Sequence, residues 1–188
     1  MNKMEMIKSM GDALILAGLM CLSTSNSNAA SVNLAGCSAQ TAYSPNGGGT
    51  DLIVATIQSA RKSIRMATYS FTEPAIGKAL LDAHKRGVDV QIVVDKEHNG
   101  RRPPGAPSVA SFLSSNGVAV TVTYAYQIQH NKVLIVDGET VQTGSFNYSR
   151  AAQLTYAENV LVVSKCRALA QDYLADWAKL RHSATGGV

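Results

Sequence analysis

Two residues with reactive side chains, His130 and Lys132, stand two positions apart in the stretch HNKVLIVDGETVQTGSFN. They are followed by an apolar run, residues 133–136, which predicts a buried strand. Because alternate side chains of a strand lie on the same face, we expect the imidazole and the ammonium group to point the same way. The stretch occurs once in the chain, so each molecule carries one copy of the site that it forms.

A hydroxyl and an amide follow the next short strand, which we predict at residues 140–143. Gly144 has no Cβ and lets the backbone approach a ligand closely. Ser145 follows it directly, and Asn147 comes two positions after Ser145. With the ammonium group they supply donors that can surround the oxygens of a phosphate. An imidazole, whose pKa is about 6.5, can attack phosphorus or carry a proton. These residue types predict phosphoryl transfer.

The spacing His-x-Lys-x4-Asp, followed by Gly-Ser-x-Asn, resembles the signature of the phospholipase D superfamily. The short chain with a single signature is most similar to the small bacterial endonucleases of that superfamily, over about residues 41–181. The resemblance implies that His130 is a covalent nucleophile and that Lys132 and Asn147 bind phosphate. It also implies that Ser145 hydrogen-bonds within the site.

Three further residues take roles from the same resemblance. Glu158, at the start of the following apolar run, corresponds to the Glu that orients the nucleophilic His. Asp137 is expected to hold the turn between the two strands, and Gly144 is expected to be a structural residue of the motif. The predicted catalytic set is His130, Lys132, Ser145, Asn147 and Glu158.

One imidazole is too few for the reaction, because displacing an alcohol from a phosphodiester needs both a nucleophile and an acid for the departing oxygen. A phosphorylated His cannot be that acid. The small nucleases of the superfamily pair two identical chains about a two-fold axis, so we predict an isologous homodimer with one composite site. His130 of one protomer then attacks, and His130 of the other protonates the departing oxygen and activates water.

The leading functional hypothesis is a metal-independent phosphodiesterase that needs no cofactor: a non-specific endonuclease that cuts DNA through a covalent phosphohistidine. Whether RNA is also a substrate is left open by the sequence. No His or Cys cluster in the sequence has metal-ligand spacing. A phospholipid phosphodiesterase would use the same chemistry, and its mark would be an exposed apolar patch beside His130. A non-catalytic nucleic-acid-binding protein with a retired site is the third alternative.

The N-terminus is typical of an exported protein. Two lysines precede an apolar block at residues 13–22, and small residues suited to signal-peptidase cleavage follow it. We predict a secretory signal peptide at residues 1–29 and a nuclease domain at residues 30–188. The expected location is periplasmic or secreted in a bacterium, without stable membrane association after the signal is removed. An uncleaved anchor and a lipoprotein modified at Cys21 are the alternatives.

Two cysteines, Cys37 and Cys166, remain after the signal is removed. In an oxidising compartment one disulfide between them would tie the mature N-terminus to the last predicted helix. Two unpaired thiols are the alternative, because a sequence does not give the distance between the two residues.

A formal net charge of +4 favours an anionic partner without identifying one. The segment KEHNGRRPPG, residues 96–105, follows a predicted strand, and its Gly and Pro residues argue against regular structure. Functional loops gather at the carboxyl ends of strands in open α/β sheets, so Arg101 and Arg102 are candidates for holding a phosphate backbone. A solvated turn is the alternative. His98, in the same segment, is a candidate for substrate contact, and Tyr69 either lines the site or packs in the core.

The rest of the chain alternates predicted helices with predicted strands. Helices are expected from a cap at Thr50, from Pro74 to Gly87, at residues 107–115 and at residues 166–181, and strands at residues 63–70, 88–95, 118–124 and 158–163. This alternation predicts one α/β domain, an α/β sandwich in which helices flank both faces of a mixed β-sheet.

Overall fold

Seven strands form one mixed sheet in the computed structural model, which describes residues 30–100 and 108–184. Ser31–Val188 forms one compact unit. The strands are β1 (Ser38–Ser44), β2 (Ser63–Thr68), β3 (Asp89–Asp95), β4 (Ala119–Thr123), β5 (Lys132–Val136), β6 (Thr140–Gly144) and β7 (Glu158–Ser164). The helices are α1 (Gly49–Ser59), α2 (Pro74–Lys85), α3 (Val109–Ser115), α4 (Arg150–Leu154) and α5 (Arg167–Ser183), and a π-helical turn spans Lys96–Gly100.

The strand order across the sheet is β1-β7-β6-β5-β2-β3-β4. β2, β3 and β4 are parallel, and α2 and α3 lie in the connections between them. The other strand pairs are antiparallel. Residues 137–139 join β5 to β6, and the φ angles of Asp137 and Gly138, 53° and 67°, suit a tight hairpin turn. The predicted mixed sheet is confirmed.

Helices cover both faces of this sheet. Alternate strand residues point to opposite sides, so each face presents its own apolar residues to the helices packed on it. One face includes Met66 and Leu134 and shares its core with residues of α1, α2 and α3. The other face includes Ala67 and Ile135 and packs against α5, from which Trp177 donates a hydrogen bond to the Met66 carbonyl oxygen at 2.9 Å. The predicted sandwich is therefore confirmed as well.

The start of α1 differs from the prediction. Its N-cap is Gly48, with φ of 77°, so the predicted cap at Thr50 is wrong. A glycine can take this left-handed conformation at no steric cost and starts the helix two positions earlier. Thr50 then lies within the first turn, where its hydroxyl donates to Oε1 of Gln153 at 2.6 Å.

Two elements, β1 and the short helix α4, have no counterpart among the predicted elements. The first four residues of β1 are exposed, so the strand shows little apolar pattern. Backbone pairing with β7 along its whole length holds it at the edge of the sheet. An edge strand of this kind depends on its neighbour rather than on its own side chains.

The segment after β3 is a π-helical turn over Lys96–Gly100, so the prediction of irregular structure is wrong for these residues. The side chain of Asp95 accepts a hydrogen bond from the backbone N–H of Glu97 at 2.8 Å, which stabilises the start of the turn. Arg101 and Arg102 lie outside the described residues. Their role in substrate binding stays a prediction.

A disulfide joins Cys37, before β1, to Cys166, before α5, with an S–S distance of 2.08 Å. The alternative of two unpaired thiols is not adopted in this structure. The predicted signal peptide at residues 1–29 lies outside the described residues. Within the described ranges, no helix combines the length and the apolar character needed to cross a membrane.

Candidate active site

The predicted catalytic residues gather along one edge of the sheet, the edge formed by the start of β5 and the ends of its neighbours β2 and β6. Lys132 is the first residue of β5 and pairs with Thr68, the last residue of β2. Gly144 is the last residue of β6, and Glu158 is the first residue of β7. Because β5 runs antiparallel to β2 and β6, its start meets the ends of both neighbours. The fold thus brings these residues together although the chain reaches this edge at separate points.

His130 and Lys132 meet around the ring of Tyr69. His130 is exposed and lies in the loop before β5, and its ring centroid is 4.6 Å from that of Tyr69. Nζ of Lys132 lies 5.4 Å from the centroid of the same ring and donates a hydrogen bond to the His130 carbonyl oxygen at 2.8 Å. The imidazole and the ammonium group therefore share one aromatic neighbour.

Partial desolvation and charge favour the neutral form of His130, although the residue as a whole is exposed. Desolvation lowers the pKa of His130, the charges of Lys132 and His98 lower it further, and Asp95 opposes them. A lower pKa increases the fraction of neutral imidazole at neutral pH. Burial also lowers the pKa of Lys132, which is only 8% exposed, and the charge of Glu158 opposes that effect.

The chain after β6 presents the hydroxyl and the amide of the motif. Gly144, with φ of 150°, packs so tightly that a Cβ there would overlap the backbone carbonyl oxygen of Asn159. The Ser145 hydroxyl oxygen accepts hydrogen bonds from the backbone and side-chain N–H groups of Asn159 at 3.0 and 3.2 Å, which leaves its own hydrogen for another acceptor. The side-chain oxygen of Asn147 is buried without a partner among the described residues. This oxygen is an acceptor that needs a donor such as water, so the side-chain NH2 group is the part of Asn147 that can donate to a phosphate.

Glu158 is half-buried and acts on Lys132, because its charge raises the pKa of that lysine against the effect of burial. Among the described residues, no hydrogen bond joins the Glu158 side chain to His130. The role of Glu158 in orienting His130 stays a prediction. Its electrostatic effect in the structure is on Lys132.

Asp137 lies at the other end of β5, away from Lys132. Its carboxylate accepts hydrogen bonds from the backbone N–H groups of Arg61, Lys62 and Ser63 at 2.9, 2.8 and 2.8 Å. Burial alone would raise the pKa of Asp137, but these three bonds hold it below its usual value. The side chain thus fastens the loop before β2 to the hairpin turn after β5.

The structure places three further residues near His130. Asp95 is not predicted as a site residue, because it lies outside the motif. Tyr69 and His98 are candidates whose place in the site the sequence alone does not decide. The ring centroids of Tyr69 and His98 are 4.1 Å apart, so one tyrosine contacts both imidazoles. Tyr69 follows the end of β2, and Asp95 ends the parallel neighbour β3. Polar or aromatic residues at the carboxyl ends of adjacent parallel strands are the signal that can find them.

A cavity of about 190 Å³ lies beside His130. Its lining residues are Tyr126, Ile128, Gln129, His130, Asn131, Asp176 and Leu180. Gln129 is 3% exposed, and its side-chain amide has no hydrogen-bond partner among the described residues. A larger cavity of about 890 Å³ lies between α2 and α3, and none of the predicted catalytic residues lines it. Of the two cavities, only the smaller one has a predicted catalytic residue, His130, in its lining.

Residues 53–180 match the family described as "Cardiolipin synthase, PLD-like domain". A protein named "Phospholipase D" from Rickettsia bellii is 37% identical to this chain over 137 residues, which are 73% of this chain and 66% of that protein. The chain therefore spans just under two thirds of the length of this relative.

Two solved structures are similar to this fold. One is that of a phospholipase D family member, Nuc from Salmonella typhimurium, with 39% identity, a TM-score of 0.73 and coverage of 79% of this chain and 97% of that one. The other is NucT from Helicobacter pylori, with 25% identity, a TM-score of 0.70 and coverage of 80% and 99%. The family match covers more than half of the chain and includes every predicted catalytic residue. The chain therefore belongs to the phospholipase D superfamily.

Proposed function

We propose that the protein is a metal-independent phosphodiesterase, and specifically an endonuclease that cuts DNA through a covalent phosphohistidine, with RNA as a further substrate to be tested. The convergence of His130, Lys132, Ser145 and Asn147 at one edge of the sheet carries this proposal. The four groups combine a nucleophile with three side chains that can hydrogen-bond to phosphate oxygens, and this combination suits phosphoryl transfer.

The reaction begins when the neutral His130 imidazole attacks phosphorus and the bond to the departing alcohol oxygen breaks. The lowered pKa of His130 supplies the neutral form that this step needs. Lys132 and the Asn147 amide hold the non-bridging phosphate oxygens. Water then attacks the phosphohistidine, and the His130 imidazole leaves as the neutral base.

The departing oxygen needs a proton, and the phosphorylated His130 has none to give. We assign this role to His130 of a second protomer, in a homodimer whose two motifs face one cleft. The same imidazole accepts a proton from the attacking water in the second step. Each protomer therefore supplies half of one site.

A heterodimer with one His130→Ala subunit tests this assignment, with distinct affinity tags used to purify the mixed species. We expect turnover to fall at least about a hundredfold, because the loss of either imidazole removes an essential role. A mixed dimer that keeps half of the wild-type activity would show two independent sites. Full activity in a demonstrated monomer would also contradict the composite site.

Nucleic acid is the proposed substrate because the net charge of +4 favours a polyanion and because aromatic rings lie beside His130. Tyr69 contacts the imidazole, and the half-exposed Tyr126 lines the adjoining cavity. Such rings can stack on bases without strong sequence preference. Replacing Arg101 and Arg102 with Ala tests the predicted clamp: DNA binding should weaken and depend less on salt.

A second candidate, a phospholipid phosphodiesterase, is favoured by one observation. Tyr124, Tyr126 and Ile128, in the loop before His130, are 49%, 45% and 51% exposed. An apolar strip beside the nucleophile is the mark expected of an enzyme that works at a lipid surface. The name of the Rickettsia bellii relative agrees with this alternative.

One experiment separates the two candidates. Purified protein is incubated in EDTA with plasmid DNA and, separately, with phospholipid vesicles, and the wild type is compared with His130→Ala. His84→Ala is the matched control, because His84 lies in the last turn of α2, away from this edge. We expect DNA cleavage by the wild type and by His84→Ala only. Release of lipid headgroups without DNA cleavage would establish the lipid candidate, and activity that needs added metal would contradict the phosphohistidine scheme.

We further propose that residues 1–29 are a secretory signal and that the mature enzyme is periplasmic or secreted. N-terminal sequencing of the protein recovered from a bacterial periplasmic fraction tests this. Mature protein that begins near Ala30 is the expected result. A cytoplasmic protein that retains Met1 would contradict it.

A further inference from the structure

A buried carboxylate, Asp95, joins the two segments that carry histidines at this site. Asp95 ends β3 and is 1% exposed. One of its oxygens accepts hydrogen bonds from the backbone N–H groups of Glu97 and His98 at 2.8 and 3.4 Å. The other accepts from the backbone N–H of Gln129 at 2.8 Å, directly before His130. One side chain therefore fixes the π-helical turn and the loop of the nucleophile at once.

The same region also holds Tyr69, which both imidazoles contact. The Asn99 amide donates hydrogen bonds to the Tyr69 carbonyl oxygen at 2.7 Å and to the Asp95 carbonyl oxygen at 3.2 Å. Asn99 is 4% exposed and lies in the turn whose start Asp95 stabilises. The end of β2, the end of β3 and the turn are thus linked by buried side chains, and the loop before β5 is linked to them through Asp95.

The charge of Asp95 matters as well as its geometry. Burial and Lys132 both favour the neutral form of His130, and Asp95 counters them by raising the pKa of this histidine. An imidazole that first gives and then takes a proton must not be held in one form. Within residues 30–100 and 108–184, the ionisable groups around His130 are Lys132 on β5, Asp95 on β3, His98 on the turn, Tyr69 after β2, Tyr126 and Asp176 in the lining of the adjoining cavity, and Glu158 on β7 through Lys132.

We propose that Asp95 is a positioning residue of this active site, which holds the turn of His98 and the loop of His130 in place. Its negative charge also favours the protonated His130 imidazole. The inference rests on the proposed phosphodiesterase activity for its catalytic consequence only. Its structural and electrostatic parts apply to the free protein, so they can be measured without a substrate.

The test compares Asp95→Asn with His98→Ala in the full-length protein. NMR titration of the His130 ring protons, assigned by their loss in His130→Ala, gives the pKa of His130 directly. Asp95→Asn removes a negative neighbour and should lower that pKa, whereas His98→Ala removes a positive neighbour and should raise it. The pH profile of turnover should move in the same two directions. In Asp95→Asn, kcat should fall about tenfold, with a smaller change in KM.

Opposite shifts in the two variants support the proposal, because a general loss of packing does not produce them. Shifts in the same direction, or no shift in Asp95→Asn, would overturn it. If Asp95→Asn does not fold, Asp95→Glu replaces it: the charge remains, so the His130 titration should stay near that of the wild type while turnover falls. A displaced titration in Asp95→Glu would also overturn it. Opposite NMR shifts in a protein that cleaves neither DNA nor lipid would refute the proposed function instead.

Discussion

Replacing Asp137 with Asn should destabilise the protein and leave its chemistry nearly intact, although Asp137 belongs to the same motif as His130 and Lys132. Five positions of extended chain separate Asp137 from Lys132, or about 17 Å at the rise of a strand. The Asp137 side chain is engaged with three backbone N–H groups at the far edge of the sheet. Its contribution should therefore appear in the free energy of unfolding rather than in turnover.

The size of the effect follows from those three bonds. A hydrogen bond to a charged group contributes about 1.5–3 kcal/mol to stability. Two of the donors belong to Arg61 and Lys62, which are exposed, so their N–H groups regain water in the variant. Asn also keeps one acceptor oxygen. We therefore expect a loss of about 2–4 kcal/mol, less than the full sum of the three bonds.

Urea unfolding at several pH values is the assay. The pKa of Asp137 is lowered in the folded state, so its contribution is fully present above the unfolded value of about 3.9 and is lost as the pH falls through the folded pKa. The gap between wild type and Asp137→Asn should be largest near neutral pH and should narrow in acid. Asp172→Asn, at an exposed position on α5, is the control and should change stability by less than about 0.5 kcal/mol.

Two results would refute this reasoning. A hundredfold loss of kcat in Asp137→Asn with unchanged stability would place the residue in the chemistry. A stability gap that stays constant with pH would show that the charge of the carboxylate does not contribute.

Gly144→Ala should lower stability by roughly 1–3 kcal/mol in thermal unfolding, because a Cβ at φ of 150° meets the backbone of Asn159; an unchanged melting temperature would show that the strand shifts freely. Replacing Cys37 and Cys166 together with Ser should cost roughly 2–4 kcal/mol in urea unfolding, and wild-type stability that is insensitive to reductant would contradict this. Lys132→Gln should lower kcat/KM by about 10²–10³ through loss of a charged phosphate ligand, and a change below tenfold would remove Lys132 from phosphate binding.

The apolar strands of the sheet are predictable from the sequence because their patterns are local. The run after Lys132 is apolar and buried in the sheet, and Pro74 and Gly87 lie at the start and just beyond the end of α2, as predicted. β1 is not predictable in this way, because its exposed residues are held by pairing with β7, far along the chain. The predicted cap of α1 at Thr50 is wrong for a related reason: Gly48 starts the helix through its backbone conformation, not through a side chain.

The same distinction applies to the site. His130 and Lys132 are found from spacing alone, because two positions along an extended chain place side chains on one face. Asp95 is not, since its link to the loop of His130 spans 34 positions and depends on how β3 lies in the sheet. Its burial and its three hydrogen bonds become visible only when the ends of the parallel strands are placed.

The bridge between Cys37 and Cys166 also determines what a protease can do to this molecule. It closes a covalent ring around most of the domain, with the two cysteines 129 positions apart. A single backbone cut anywhere inside the ring leaves two fragments that remain one molecule, and both can keep their places in the sheet. A nicked enzyme should therefore migrate as one species on a gel until reductant is added. In the periplasmic or secreted location that we propose, where proteases are common, such a ring would keep the molecule in one piece beyond the first cleavage.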